Sequence, residues 1–163
     1  MPRVSRARVI AVDPGHVWDL ISDPHSLPRW WPRTLRVEDV EDGGERSDAA
    51  SRWTLVLETE RGSAVRADYH RTEHEPGHAY AWSQEVEGTP FERILRASRL
   101  EIELQAAGGG AGTEVRLTSD ETLRGLSRLG STMLRGAARR RLDEALDGIE
   151  RALVGDPAKT DDG

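Results

Sequence analysis

Four prolines divide residues 13–32 into short segments, and this division limits what the chain can fold into. The preceding run, 4–12, has the composition of a strand. Asp13 is expected to cap a helix that begins at Pro14, because proline at the first helical position loses no hydrogen bond. Apolar residues then recur at helical spacing over 17–21, and the later prolines keep the next helical turn short. The sequence therefore predicts a strand followed by two short helices.

Six further strands are predicted from apolar, partly alternating segments separated by turn sequences. The segments are 34–41, 52–60, 64–73, 78–86, 91–106 and 113–122. Residues 42–50 read as a polar turn, and the Gly-rich run 108–112 reads as a flexible hairpin. Short connections join neighbouring strands in antiparallel pairs, so we expect a seven-stranded antiparallel sheet.

The periodicity changes after the last predicted strand. Residues 123–154 carry apolar side chains at spacings of three and four, which predicts one amphipathic helix of about 30 residues and roughly 45 Å. Gly125, Gly130 and Gly136 weaken its first half. Residues 139–141 are all arginine, and the acids that follow make them a predicted solvated face of the helix.

These elements predict an α+β fold, a curved seven-stranded antiparallel sheet wrapped around a long C-terminal helix. We expect a single domain over residues 1–155 and a disordered tail over 156–163. With 163 residues the chain is long enough for one sizeable core.

Composition excludes several classes of function. The chain has no cysteine, so disulfides and thiolate chemistry are excluded, and its net charge of −6 argues against nucleic acid as a partner. No segment is apolar enough for membrane insertion or a signal peptide, so a cytoplasmic location is expected. His70, His74 and His78 lie on a strand and a turn, where four residues span about 13 Å. We therefore expect no metal and no cofactor, and leave monomer or homodimer open.

Several segments resemble a known family. They are Val9-Ile10-Ala11-Val12, the Asp-Pro-Gly-His-Val-Trp run at 13–18, Ser22-Asp23-Pro24, Trp30-Trp31-Pro32, and the late segments 100–104 and 112–118. Together they resemble the helix-grip (SRPBCC) superfamily, which includes START lipid-transfer domains, Bet v 1-like proteins and polyketide cyclase/dehydrase-like proteins. The resemblance covers about residues 3–154 and points to the polyketide cyclase/dehydrase-like branch. It implies a deep, largely apolar cavity between the sheet and the C-terminal helix.

Alternation along the strands selects side chains for the inner face of the sheet. With two neighbouring tryptophans and one helical residue, the predicted ligand-binding set is Trp30, Trp31, Trp53, Tyr69, Trp82, Gln84, Arg96, Ser98 and Met133. One of Trp30 and Trp31 is expected to pack into the core while the other borders the mouth of the cavity. Tyr69 and Gln84 either hydrogen-bond a ligand or lie at the edge of the core.

Arg96 is the sharpest candidate, because it shares the apolar alternation of Leu100 and Ile102. An unpaired guanidinium is costly in a closed core. Arg96 therefore lies near the open end of its strand, pairs with an acid, or faces a ligand.

Three functions remain open from the sequence. The first is binding of a hydrophobic or aromatic small molecule of the lipid, polyketide or isoprenoid type. The second is a polyketide cyclase/aromatase-like enzyme, in which Arg96 would stabilise developing negative charge and Tyr69 would transfer a proton. The third is a protein-interaction domain.

Overall fold

A computed structural model describes residues 3–41, 51–110, 112–125 and 128–155. The elements in chain order are β1 Arg3–Ile10, α1 Pro14–Ile21, α2 Leu27–Trp30, β2 Thr34–Glu41, β3 Arg52–Glu58, β4 Ala64–Glu75, β5 Ala79–Gln84, β6 Leu95–Ala106, β7 Thr113–Leu123 and α3 Arg128–Val154. The strands form one antiparallel sheet in the order β1-β7-β6-β5-β4-β3-β2. The predicted fold, a sheet with one long C-terminal helix, is confirmed.

The two short helices begin where the prolines predict. The Asp13 carboxylate accepts a hydrogen bond from the backbone N–H of His16 at 3.1 Å and also pairs with the His16 ring. The hydrogen bond with the His16 ring holds the pKa of Asp13 below its usual value. A 3₁₀ turn, Pro24–Ser26, leads into α2. Helix α2, which ends at Trp30 just before Trp31, has no side-chain cap of its own.

The boundary between β7 and α3 differs from the prediction. Residue Leu123 still belongs to β7 and pairs with Leu95, and α3 begins at Arg128. Gly125 has a φ of 69°, a left-handed conformation that fits a break between the two elements. The predicted start of the helix at residue 123 is therefore wrong. The predicted polar turn 42–50, the helical residue Leu126 and the predicted tail 156–163 lie outside the described residues.

The C-terminal half of α3 is the part of the helix that enters the core. Among the side chains of α3 that the structure describes, the first buried one is Ala138, and Leu142, Leu146 and Ile149 continue the stripe into the core. Two ion pairs fasten this half to the edge strand β1, since the Arg6 guanidinium contacts Asp143 through two hydrogen bonds of 2.9 Å and Arg8 contacts Asp147 at 2.6 Å. In the N-terminal half, residues 130 and 132–137 include no buried side chain.

Helices α2 and α3 approach each other at one glycine. A Cβ atom at Gly148 would lie 2.4 Å from the carbonyl oxygen of Trp30, closer than real contacts allow. Residue 148 must therefore lack a side chain for α3 to lie on α2. The glycines singled out from the sequence lie in the first half of the helix, so this one was missed.

The start of β6 is irregular. A 3₁₀ turn, Pro90–Arg93, occupies the beginning of the predicted strand 91–106, and the pairing with β7 shifts register between Leu95 and Ala97. Such a bulge adds one residue to one strand and reverses the alternation of its side chains across the shift. This local change decides where Arg96 lies.

Candidate functional site

A cavity of about 550 Å³ lies between the inner face of the sheet and α3. Its wall is largely aliphatic and aromatic, and the apolar lining residues are Trp31, Leu57, Val65, Ala67, Trp82, Phe91, Ile94, Leu95, Leu100, Leu123 and Leu134. Exposed residues, among them Glu58 and Ile94, lie at its rim. The structure thus has a largely apolar cavity that is open at a rim, while the deep ligand cavity implied by the family resemblance stays a prediction.

Aromatic rings form one side of the cavity. Trp82 lies at the centre of the group, with its ring centroid 5.4 Å from Trp31, 5.9 Å from Trp30 and 5.9 Å from Trp53. Trp53 in turn stacks on Tyr69 at 6.3 Å. Rings that pack against one another in this way hold one another in fixed orientations. The aromatic wall is therefore a rigid surface.

The neighbouring tryptophans point in different directions, as predicted. Trp31 lines the cavity, whereas Trp30 is 2% exposed and packs into the core. Trp53 is buried behind Tyr69 and is absent from the described cavity lining. Among the predicted site residues, Trp31 and Trp82 are thus the tryptophans that face the cavity.

Four polar side chains from four adjacent strands line the cavity at one level of the sheet. Tyr69 of β4 pairs with Gln84 of β5, and Ser98 of β6 pairs with Glu121 of β7. Ser83 pairs with Arg99, so the next residue, Gln84, lies beside Ser98. We call Tyr69, Gln84, Ser98 and Glu121 the polar row.

Helix α3 contacts one end of the polar row through a charge pair. The Arg141 guanidinium donates a hydrogen bond of 2.7 Å to the Glu121 carboxylate, whose side chain is 12% exposed. Both residues line the cavity. The prediction of a solvated face for residues 139–141 is therefore wrong for Arg141, which points toward the sheet while Arg139 and Arg140 are exposed.

Burial controls the chemistry of Tyr69. Desolvation raises the pKa of its phenol well above the usual value, and the nearby Glu121 charge raises it further while Arg141 opposes this. The phenol is therefore neutral at physiological pH. A neutral phenol in the wall of a cavity can donate a hydrogen bond to a ligand oxygen.

Gln84 carries a polar atom for which the structure shows no partner. Its Nε2 atom is buried, and no hydrogen-bond acceptor for it is found among the described residues. A buried donor without a partner costs free energy, so such atoms in native proteins usually meet water or a ligand. Ser98 lines the cavity beside it, as predicted.

Besides Trp30 and Trp53, two further predicted site residues lie outside the cavity. Arg96 is exposed and lines an outer groove with Asp120 and Thr122, which alternate with the cavity-lining residues of β7. The register shift at the start of β6 moves Arg96 to this outer face, so its placement on the inner face was wrong. Met133 is 71% exposed, because the helical stripe leaves the core before it reaches this turn.

Sequence reasoning missed two of the charged residues in the cavity. Glu121 continues the alternation of Leu117 and Ser119, so extending the same pattern by two residues would have found it. Arg141 gave no such signal, because it stands in a run of three arginines.

No cluster of three or more potential metal ligands occurs within residues 3–41, 51–110, 112–125 and 128–155. Over the same ranges, no helix has the length and apolar character needed to cross a membrane.

Comparison with solved structures shows the same fold in proteins of low sequence identity. The Zhui aromatase/cyclase from Streptomyces sp. R1128 has a TM-score of 0.74 and 18% identity, covering 96% of this chain and 97% of that chain. A START superfamily protein from Mycobacterium smegmatis has a TM-score of 0.73 and 12% identity, covering 93% and 97%. The di-domain ARO/CYC StfQ from the steffimycin biosynthetic pathway has a TM-score of 0.74 and 15% identity, covering 94% of this chain and 51% of that chain.

The comparison with curated proteins gave no match. The family model described as polyketide cyclase/dehydrase and lipid transport matches residues 1–154, which is nearly the whole chain. The chain therefore belongs to the polyketide cyclase/dehydrase and lipid transport family.

Proposed function

We propose that this protein binds a hydrophobic or aromatic small molecule, of the lipid, polyketide or isoprenoid type, in the cavity between the sheet and α3. The observation that carries this proposal is the cavity of about 550 Å³ with an aliphatic and aromatic wall. That volume falls within the range of about 300–1,000 Å³ typical of small-molecule sites. The cytoplasmic location and the state as monomer or homodimer stay predictions.

The packing of α3 supports the proposal. Its C-terminal half is fastened to β1 and α2, while side chains near its N-terminus, such as Met133, are exposed. An element with few buried contacts opens at lower free energy than the core does. The N-terminal half of α3 is therefore the part of the wall that can move to admit a ligand.

Ligand titration tests this function. We expect a naphthalene-sized aromatic probe to quench tryptophan fluorescence and to raise the melting temperature. At a probe concentration of one hundred times its Kd, the free energy of unfolding should rise by about 2.7 kcal/mol. Trp31→Phe replaces an indole of the cavity wall with a phenyl ring and should reduce the quenching. Trp18→Phe is the matched control, since Trp18 contacts His74 and Tyr80 away from the described lining. Absence of both responses across a hydrophobic library would overturn the proposal.

A cyclase activity is the second candidate, and the cluster of Tyr69, Glu121 and Arg141 favours it. Cyclisation of a poly-ketone needs a folded chain, a proton acceptor and a group that stabilises the enolate oxygen. The neutral Tyr69 phenol supplies a donor for that oxygen, and the Glu121 carboxylate supplies an acceptor. The exposed position of Arg96 removes it from the oxyanion role.

Kinetics with a tethered poly-ketone separate the two functions. An enzyme should lose rate or regiochemical control in both Tyr69→Phe and Glu121→Gln, whereas a binder should show no turnover above background in the wild type. Arg96→Ala should leave either behaviour unchanged, since its side chain lies outside the cavity.

A further inference from the structure

The polar row gives the cavity a second property besides its apolar character, since its members are neighbours across four strands. Adjacent strands lie about 4.8 Å apart, so the row extends roughly 14 Å across the sheet. Apolar side chains flank it on both sides along the strands, with Trp82 and Leu100 on one side and Leu95 and Leu123 on the other. A band of polar groups in an otherwise apolar wall orients a ligand.

The row offers opposite hydrogen-bonding roles at two of its positions. Glu121 presents a carboxylate, which accepts hydrogen bonds, and one of its oxygens already receives the Arg141 guanidinium at 2.7 Å. Gln84 presents a buried N–H donor that lacks a partner among the described residues. A ligand hydroxyl can donate to the first and a ligand oxygen can accept from the second.

The charges of the wall disfavour a carboxylate ligand. Arg141 is engaged with Glu121, and the Arg99 side chain hydrogen-bonds Thr72 and Glu73. At the polar row, an anionic end would therefore meet the Glu121 charge beside an arginine that is already paired, and an uncompensated buried charge is costly. Arg33 also lines the cavity, but it is exposed and lies at the rim rather than at the row.

We propose that the polar row selects a neutral, hydroxyl-bearing aromatic ligand and orients its oxygens across strands β4 to β7. This inference rests on the proposed binding function and adds its specificity: a hydroxyl donates to Glu121, an oxygen accepts from Gln84, and the apolar ring body lies against Trp31 and Trp82. A carboxylate is rejected at the row itself.

Three probes of one shape test the row. They are a naphthalenediol with hydroxyls at opposite ends of the ring system, the corresponding dimethylnaphthalene and the corresponding dicarboxylate. The dicarboxylate cannot place one anionic end at the rim without placing the other inside. We expect the wild type to bind the diol about tenfold more tightly than the dimethyl compound, the size of one or two hydrogen bonds, and the dicarboxylate most weakly.

Two variants connect this preference to the row. Gln84→Leu should bring the affinity for the diol close to that for dimethylnaphthalene, while Gln105→Leu, the same change at an exposed position of β6, should leave the preference intact. Glu121→Gln should weaken binding of the diol and strengthen binding of the dicarboxylate, because Arg141 is then free to pair with it. A merely structural role of Glu121 would not increase the affinity for an anion.

The outcomes separate this inference from the function on which it rests. Equal affinities for the diol and the dimethyl compound, or a diol preference that survives in Gln84→Leu, would overturn the proposed role of the polar row in ligand selection. Both results would leave the apolar binding function in place. Failure of all three probes would overturn both. Should Glu121→Gln not fold, Ser98→Ala replaces it and is expected to reduce diol affinity without altering that for dimethylnaphthalene.

Discussion

Burial sets the chemistry of single residues in this cavity, and Tyr69 shows it best. Its side chain stacks on Trp53, faces the cavity and lies near the Glu121 carboxylate. Since the pKa of its phenol is raised mainly by desolvation, ionising it in the folded protein is unfavourable. In the unfolded chain the same phenol ionises at about pH 10.

This difference predicts how stability depends on pH. Above about pH 10 the unfolded chain loses a proton that folded Tyr69 keeps, so the free energy of unfolding falls by up to about 1.4 kcal/mol per pH unit. Tyr69→Phe lacks this contribution. Melting curves between about pH 9 and pH 11 should therefore show the wild type losing stability faster than the variant. Parallel curves for the two proteins would contradict the raised pKa.

The alternation rule identified cavity residues where the strand is regular and failed where it is not. It placed Tyr69, Gln84 and Ser98 correctly, because β4, β5 and β6 pair without a shift at those positions. It misplaced Arg96, because a bulge depends on the partner strand and leaves no mark in the sequence of β6 alone. The alternation pattern of one strand does not reveal such pairing.

At the scale of elements, α3 is held most firmly at its C-terminal end. Gly148 allows the helix to touch α2, and the pairs of Arg6 with Asp143 and Arg8 with Asp147 tie it to β1. The hydrogen bonds from Arg6 hold the pKa of Asp143 below its usual value, so the pair persists at neutral pH. Leu134 and Arg141, nearer the start of the helix, line the cavity.

Two glycine substitutions in α3 should have opposite effects. Gly148→Ala forces its Cβ against the Trp30 carbonyl oxygen and should cost about 1–3 kcal/mol of stability. Gly136→Ala is the matched control, since nothing lies within 4 Å of the position that its Cβ would occupy and the change should stabilise the helix by up to about 1 kcal/mol. Urea unfolding measures both. A neutral Gly148→Ala would contradict the close approach of α2 and α3.

Most element boundaries followed from turn residues and caps, but the start of α3 did not. Leu123 fits both the helical stripe and the alternation of β7, so the sequence alone permits either assignment. Pairing of Leu123 with Leu95 across the sheet decides it, and that contact joins residues far apart in the chain.

At the scale of the whole molecule, the cavity costs stability, because its lining side chains have fewer protein neighbours than they would have in a packed core. Ala67 is 3% exposed and lines the cavity. Ala67→Leu should therefore raise stability by about 1 kcal/mol, or a few degrees of melting temperature, while lowering affinity for dimethylnaphthalene. Thermal melting and fluorescence titration measure the two effects.

Ala106→Leu adds the same volume at an exposed position and should change neither quantity. A stabilised Ala67→Leu variant that still binds the probe as the wild type does would place the ligand elsewhere on the protein.

The overall architecture could be predicted because local signals and the global arrangement agree. Prolines, turn residues and hydrophobic periodicity specified the order of elements, and hairpin connections specified the sheet. The height of α3 above the sheet could not be predicted in this way, because it depends on Gly148 and on ion pairs between distant segments. The volume of the cavity follows from that height.

The irregular outer strand β2 bears on how the protein behaves at high concentration. A sheet edge exposes unpaired backbone groups on which another chain can build an intermolecular ladder. β2 shifts register twice against β3, and Asp39 adopts a φ of 52° within it. A strand bent in this way, with Arg36 and Glu38 on it, presents no straight template to a second molecule, which opposes intermolecular pairing at this edge of the sheet.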